Sequence, residues 1–201
     1  MSSSRVSDER LRRWIAELVA TPGLTAIKDP DEAWHEHVER SLEAVEVVAR
    51  YEGSIVDVGS GGGSPGIPLA VAFPDREVTL LEAQERKAAE LVRLTREFPN
   101  VKVIRGRAEE QATDWYEVAV ARALAPPPVA AEWCLPLVAP GGVAVLYVGP
   151  SADADHVQRV ADRVGGGEVS EEPGLLVIPK VTHTPEGFPR RPGVAKKRPL
   201  A

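Results

Sequence analysis

The chain has 201 residues, of which 43% are hydrophobic and 27% are charged, a composition typical of a globular protein with one core. Its net charge of -6 by itself argues against a nucleic-acid partner. The charge is unevenly distributed, however. Residues 187–201 contain five basic and no acidic residues, so they carry +5 and the rest of the chain carries -11. Because of this uneven distribution, the net charge does not exclude an RNA partner.

The single cysteine and the amino-terminal sequence bear on the cellular compartment. Cys134 is the only cysteine, which excludes an internal disulfide and a cysteine zinc site and predicts a reducing, cytoplasmic environment. Its neighbours are apolar, so we interpret it as a buried hydrophobe rather than a nucleophile. The charged start lacks the apolar core of a secretory signal. Prolines and glycines in the uncharged stretch 133–152 exclude a membrane helix.

Two helices are predicted first in the chain. Apolar residues recur with helical period over residues 7–20, and again from Asp31, a candidate N-cap, to about Arg50. Five strand-like runs follow: SIVDVG, EVTLLE, VKVIRG, YEVAVARA and GGVAVLYVG. They are interspersed with the helical stretches 84–97, 129–137 and 153–164. Strands that alternate with helices predict a parallel sheet with crossover connections.

The last two strand-like runs, 168–172 and 175–180, are separated only by Pro173 and Gly174, which predicts an antiparallel hairpin. The Pro-, Gly- and Arg-rich sequence after Lys180 predicts an irregular tail. We therefore expect one α/β domain over residues 1–201, with a helical extension (1–50), a Rossmann-like core (54–180) and a basic tail (181–201). The core should contain a mostly parallel seven-stranded sheet that ends in the hairpin and has helices on both faces.

A glycine-rich loop follows the first predicted strand. It forms the pattern D-x-G-x-G-x-G with Asp57, Gly59, Gly61 and Gly63. Glycines let a ligand approach the backbone, and the following helix offers free N–H groups. With Gly66 the loop also matches the dinucleotide string G-x-G-x-x-G, and Glu82 is a possible ribose partner for either ligand.

The loop acid discriminates between these two ligands. S-adenosylmethionine carries an ammonium and a sulfonium but no pyrophosphate, so the carboxylate of Asp57 would attract it and would repel a dinucleotide. The appended hairpin also resembles the class I methyltransferase fold more than a dehydrogenase domain. We therefore favour S-adenosylmethionine as the cofactor.

Several further motifs are specific in combination. They are LTAI (24–27), Trp34 with His37, Ser41-Leu42, the loop 57–63 continued by PGIPLA (65–70), LLE (80–82), RAEE (107–110), Arg122-Ala123, and FPRR (188–191) followed by Gly193, Lys196, Lys197, Pro199 and Leu200. On these segments the chain resembles the 16S rRNA guanine-N7 methyltransferase G family, also called the GidB family.

The resemblance implies methyl transfer to N7 of a guanine in the helix 18 loop of 16S rRNA, as free RNA or in the small ribosomal subunit. N7 carries a lone pair and no proton, so catalysis needs no general base and rests on alignment with the sulfonium methyl. The resemblance also implies cofactor contacts from Gly59, Gly61, Gly63, Ser64, Ala108, Glu109 and Arg122, beside Asp57 and Glu82.

Arg122 is the one candidate catalytic residue, since a guanidinium can bind guanine O6 or a phosphate. The alternative for Arg122 is an ion pair at the sheet edge, and the alternative for Glu109 is a solvated acidic turn. The tail should contact RNA phosphates through Arg190, Arg191, Lys196, Lys197 and Arg198. We interpret His35 and His37 as structural or surface groups, and Trp14, Trp34, Trp115 and Trp133 as core anchors.

Some positions depart from the family pattern: Ser64 stands in place of Phe or Leu, Arg40 in place of an Asp, and Val148 in place of a Lys. These departures keep open a diverged methyltransferase with another acceptor. Two further alternatives are a non-catalytic cofactor-dependent RNA-binding module and an NAD-linked oxidoreductase. We expect a monomer without a metal ion or a membrane partner.

Overall fold

The computed structural model describes residues 8–201, so Ser7, where the first helix was predicted to begin, lies outside the described part. Helix α1 spans Glu9–Ala20, and the side chain of Asp8 caps it by accepting a hydrogen bond from Arg10 N at 2.8 Å. The second predicted helix consists of four consecutive pieces: α2 (Pro30–Trp34), a π turn (His35–Glu39), a 3-10 turn (Arg40–Ala44) and α3 (Val45–Val48).

The cap of the second helical segment differs from the prediction. Asp29, not Asp31, is the cap, and its Oδ1 accepts hydrogen bonds from the backbone N atoms of Asp31 and Glu32 at 3.0 and 2.9 Å. The reason is that Pro30 occupies the first helical position, which makes the residue before it the cap. Proline is tolerated there because a backbone N–H at that position would have no partner within the helix.

Seven strands form one sheet in the order β3-β2-β1-β4-β5-β7-β6. They are β1 (Ile55–Val58), β2 (Val78–Glu82), β3 (Val101–Arg105), β4 (Tyr116–Arg122), β5 (Val138–Tyr147), β6 (Ser170–Glu172) and β7 (Leu175–Pro179). The first five pair in parallel, and β7 pairs antiparallel with β5 and with β6. The predicted sheet and hairpin are confirmed. The strand order reverses between β1 and β4, where ligands of such sheets bind beyond the carboxyl ends of the strands.

Helices cover both faces of the sheet. They are α4 (Gly66–Ala72), α5 (Glu85–Leu94), α6 (Pro127–Cys134), α7 (Ala154–Val164) and α8 (Val194–Lys197). One apolar cluster includes buried residues of α1, α4 and α5, and the other includes those of α6 and α7. None of the helices within residues 8–201 is long and apolar enough to cross a membrane.

Three expectations about individual segments can be compared with the fold. Cys134 is fully buried, as predicted, and burial raises the pKa of its thiol. Trp115 is not a core anchor, because it lies in the loop before β4 with 71% of its surface exposed. The tail is not irregular throughout. It contains α8, and Ala195 in that helix belongs to the second apolar cluster.

Candidate cofactor site and the adjoining polar network

A pocket of about 330 Å³ lies at the carboxyl ends of the central strands, in the volume range of small-molecule sites. Five predicted cofactor residues line it: Gly59, Gly61, Glu82, Ala108 and Glu109. Gln84, Lys87, Trp133 and Lys196 also line it. Asp57, Gly63, Ser64 and Arg122 are not on its wall, so the structure divides the predicted set into a pocket group and a neighbouring group.

The glycines of the loop have a backbone that other residues would strain. Gly59 and Gly61 have φ angles of +74° and +56°, in the left-handed region. A Cβ atom on Gly59 would also lie 2.3 Å from Leu124 Cδ1. The loop is anchored from α1, because Trp14 Nε1 donates a hydrogen bond to Gly62 O at 3.1 Å. The loop therefore presents its backbone to the pocket in one defined shape.

Glu82, at the end of β2, joins the loop to the strand. Its Oε2 accepts a hydrogen bond from Gly61 N at 2.9 Å, and its Oε1 accepts one from Gln84 N at 2.7 Å. The residue is only 5% exposed. Each carboxylate oxygen keeps a second lone pair, so Glu82 can still accept a ribose hydroxyl.

Asp57 lies beneath the loop and is 1% exposed. Its Oδ2 accepts a hydrogen bond from Gly66 N at 3.0 Å, while its Oδ1 is buried without a hydrogen-bond partner among the described residues. Burial raises the pKa of this carboxyl to about 7, against the lowering effects of Gly66 N–H and Arg122. Asp57 is buried away from the pocket wall, so the structure shows it holding the loop backbone and not contacting a ligand. Its preference for S-adenosylmethionine over a dinucleotide stays a prediction.

A polar network joins the loop region to the N-terminal helices. Arg122, at the end of β4, donates from Nη2 to Ser64 Oγ at 2.6 Å and to His37 Nδ1 at 3.0 Å. Its Nη1 donates to Glu36 O at 2.5 Å, and the Glu36 carboxylate lies 3.9 Å from the same nitrogen. Arg122 thus makes an ion pair, as the alternative interpretation expected. Its partner is Glu36 in the π turn and not a residue of the sheet.

The protonation state of His37 follows from this geometry. Arg122 can only donate, so Nδ1 of His37 accepts, and Nε2 carries the proton and faces Thr25 Oγ1 at 3.0 Å. Burial and, secondarily, the charge of Arg122 lower the His37 pKa to about 4. His37 is therefore a neutral member of the network, which confirms the structural option of its prediction. The sequence did not show its partners, because His35 and His37 lie in the same predicted helix and have the same local signature.

The basic tail packs beside the pocket. Gly193 N donates to Glu109 Oε1 at 3.1 Å, and Arg190 donates from Nε and Nη2 to the two oxygens of Glu132 at 2.5 Å each. The Glu109 side chain is only 5% exposed, so the solvated-turn alternative is wrong. Arg191, Lys196, Lys197 and Arg198 are exposed and form no ion pair with residues 8–201. Within the same residues no group of three or more His, Cys, Asp or Glu side chains could bind a metal ion.

Comparisons with known proteins agree with this site. Residues 9–165 match the family described as GidB, rRNA small subunit methyltransferase G. Two relatives carry the name ribosomal RNA small subunit methyltransferase G. The protein of Alkaliphilus metalliredigens is 36% identical over 88% of this chain and 82% of its own length, and that of Thermotoga neapolitana is 34% identical over 96% and 91%.

A solved structure supports the fold. The T. thermophilus 16S rRNA N2 methyltransferase, in complex with AdoMet and guanosine, superposes with a TM-score of 0.51 at 16% identity, over 67% of this chain and 37% of that one. These comparisons confirm the predicted family, fold class, enzyme class and cofactor. With its sheet order, its glycine loop and these matches over most of its length, the chain belongs to the rRNA small subunit methyltransferase G family.

Proposed function

We propose that this protein transfers a methyl group from S-adenosylmethionine to N7 of a guanine in the helix 18 loop of 16S rRNA. Membership of the family makes it an S-adenosylmethionine-dependent rRNA methyltransferase. The atom and the position in the rRNA are the proposal. The bound cofactor supplies the electrophilic methyl group, and the loop glycines, Glu82, Ala108 and Glu109 are the residues that would hold it.

The observation that supports the choice of N7 is that both acids on the pocket wall are engaged in holding the backbone, within residues 8–201. Both pocket acids already accept backbone hydrogen bonds, Glu82 from Gly61 and Gln84 and Glu109 from Gly193. His37 Nδ1 accepts from Arg122. Guanine N7 has no proton to lose, so a site whose acids hold the loop and the tail can methylate it by alignment alone.

The exposed cations of the tail support an RNA acceptor. Lys196, Lys197, Arg191 and Arg198 concentrate positive charge next to the pocket, on a chain whose other residues are acidic overall. This distribution favours phosphate contacts on one surface and limits unspecific binding elsewhere. We therefore propose that the tail positions the rRNA over the pocket. Because the substrate is ribosomal RNA, we also propose a cytoplasmic location. We propose separately that the enzyme is a monomer.

Labelled S-adenosylmethionine, incubated with small ribosomal subunits and with free 16S rRNA, tests the reaction. Label at one guanine of the helix 18 loop, with strand scission by chemistry specific for N7-methylguanine, is the expected result. Label at another base or on another acceptor would favour the diverged methyltransferase. RNA binding without label would favour the non-catalytic module, and binding of NAD in place of S-adenosylmethionine would favour the oxidoreductase.

A salt titration tests the tail. Replacing Arg191, Lys197 and Arg198 by Ala should weaken RNA binding and flatten its dependence on salt. The logarithmic slope should fall by about 0.7 for each single-strand phosphate that the variant no longer neutralises. An unchanged slope would contradict the role of the tail. Light scattering checks the oligomeric state.

A further inference from the structure

The segment 187–198, which contains α8, is part of the wall of the cofactor pocket. Lys196 lines the pocket together with Trp133 of α6, and its Nζ lies 5.3 Å from the centre of the Trp133 ring. Ala195 is 2% exposed and packs into the apolar cluster beside α6. The segment therefore has an inner side that faces the cofactor site and an outer side that faces solvent.

Two polar contacts join this segment to the pocket elements. Gly193 N donates to Glu109 Oε1 at 3.1 Å, and Glu109 itself lines the pocket. Arg190 and Glu132 form a bidentate pair with two N–O distances of 2.5 Å. Glu132 lies directly before Trp133 in α6 and is 2% exposed, whereas the Arg190 side chain is 20% exposed.

The Arg190–Glu132 pair is the stronger of the two contacts. Bidentate arginine–carboxylate pairs have short, directional, charge-assisted hydrogen bonds. Among the described residues Arg190 is the only ion-pair partner of Glu132, so loss of Arg190 leaves a buried carboxylate without compensation. Arg191, the next residue, is exposed and makes no ion pair within residues 8–201. Two adjacent arginines of the same motif thus have different environments.

We propose that Arg190 is a positioning residue of the cofactor site. Through Glu132 it holds the segment 187–198 against α6, so that the segment closes one side of the pocket and cofactor affinity depends on it. The proposal rests on the proposed function, because it takes the ligand of the pocket to be S-adenosylmethionine. It also removes Arg190 from the RNA-binding set and leaves the outer cations for phosphates.

The matched variants Arg190→Ala and Arg191→Ala test the proposal. In a calorimetric titration with S-adenosylmethionine and no RNA, R190A should bind about tenfold more weakly, within the roughly 5- to 150-fold range of site couplings, while R191A binds like the wild type. In methyl-transfer assays, R190A should raise KM for the cofactor and leave KM for RNA unchanged. R191A should do the reverse.

Further variants separate positioning from loss of fold. Glu132→Gln removes the buried charge together with the pair, so it should keep the fold and reproduce the cofactor defect without removing a cation from the tail. R190K keeps the charge but not the planar fork, and should restore part of the affinity. The double variant R190A/E132Q should be no worse than R190A, because both changes break one interaction.

The outcomes are distinguishable. Wild-type cofactor affinity in folded R190A and E132Q, or an equal loss in R191A, overturns the proposal. If the wild-type protein does not bind S-adenosylmethionine at all, the proposed function fails as well. If the wild type binds S-adenosylmethionine, and R190A and E132Q bind it with the affinity of the wild type, only the positioning role of Arg190 fails.

Discussion

Arg122→Met tests the polar network beside the pocket. The substitution keeps an unbranched side chain in place but removes the positive charge and every donor. Three hydrogen bonds are removed, to Glu36 O, His37 Nδ1 and Ser64 Oγ. Since these acceptors lie on the π turn and on the loop that precedes α4, the change disconnects β4 from both.

The expected cost can be worked out from these contacts. Hydrogen bonds to a charged group contribute roughly 1.5–3 kcal/mol each, but His37 and Ser64 are half-buried and can recover part of this from water. We therefore expect a net loss of about 2–4 kcal/mol in the free energy of unfolding. For a domain of this size each kcal/mol lowers Tm by about 2–4 °C, so Tm should fall by roughly 5–15 °C.

The His37 pKa gives an independent readout. Burial is the main cause of its value of about 4, and Arg122 is the second. In R122M burial remains, so the pKa should rise part of the way toward 6.5. Calorimetric melting and an NMR titration of the His37 ring, assigned with H37Q, measure both quantities. A Tm within about 2 °C of wild type, together with a His37 pKa still near 4, would refute the reasoning.

The remaining predictions concern the loop acid, the loop backbone and the cysteine. Burial raises the pKa of Asp57 to about 7 from 3.8. The unfolded chain therefore releases this proton first, and the Asp57 contribution to stability falls as pH rises from about 4 to 7, by at most about 4 kcal/mol. D57N should abolish this loss, because an amide does not titrate. Urea denaturation at pH 5 and pH 8 measures it, and a stability difference between D57N and wild type that is the same at both pH values contradicts it.

A Cβ on Gly62 would lie 2.4 Å from Leu18 Cδ1, whereas one on Gly149 would meet nothing within 4 Å. G62A should cost about 1–3 kcal/mol and G149A at most about 0.5 kcal/mol in thermal melting, and equal melting temperatures would argue against the contact. Cys134 should resist iodoacetamide until the protein unfolds, because burial raises its pKa, and C134A should keep methyl transfer. Loss of activity in folded C134A would reopen a nucleophilic role.

Local patterns in the sequence were enough to predict the order of elements and the sheet. Short apolar runs and the helical period of 3.6 depend on neighbours within a few residues, so the five parallel strands and the Pro173-Gly174 hairpin were predicted correctly. The acid and glycines of the loop indicated the cofactor for the same reason, since their spacing is local. The helix cap was misplaced by two residues because Pro30 changes which position begins the helix.

The side-chain pairs at the site could be read only from the tertiary structure. His37 and Arg122 are 85 residues apart, and Glu132 and Arg190 are 58 apart. A histidine or an arginine has the same local signature whether it is solvated or paired, and only the packing of α6 and the π turn supplies the partner. The sequence by itself therefore determined the fold, the family and the cofactor loop. The tertiary structure decided that His37 is neutral and bonded to Arg122, and that Arg190 holds the tail while Arg191 faces solvent.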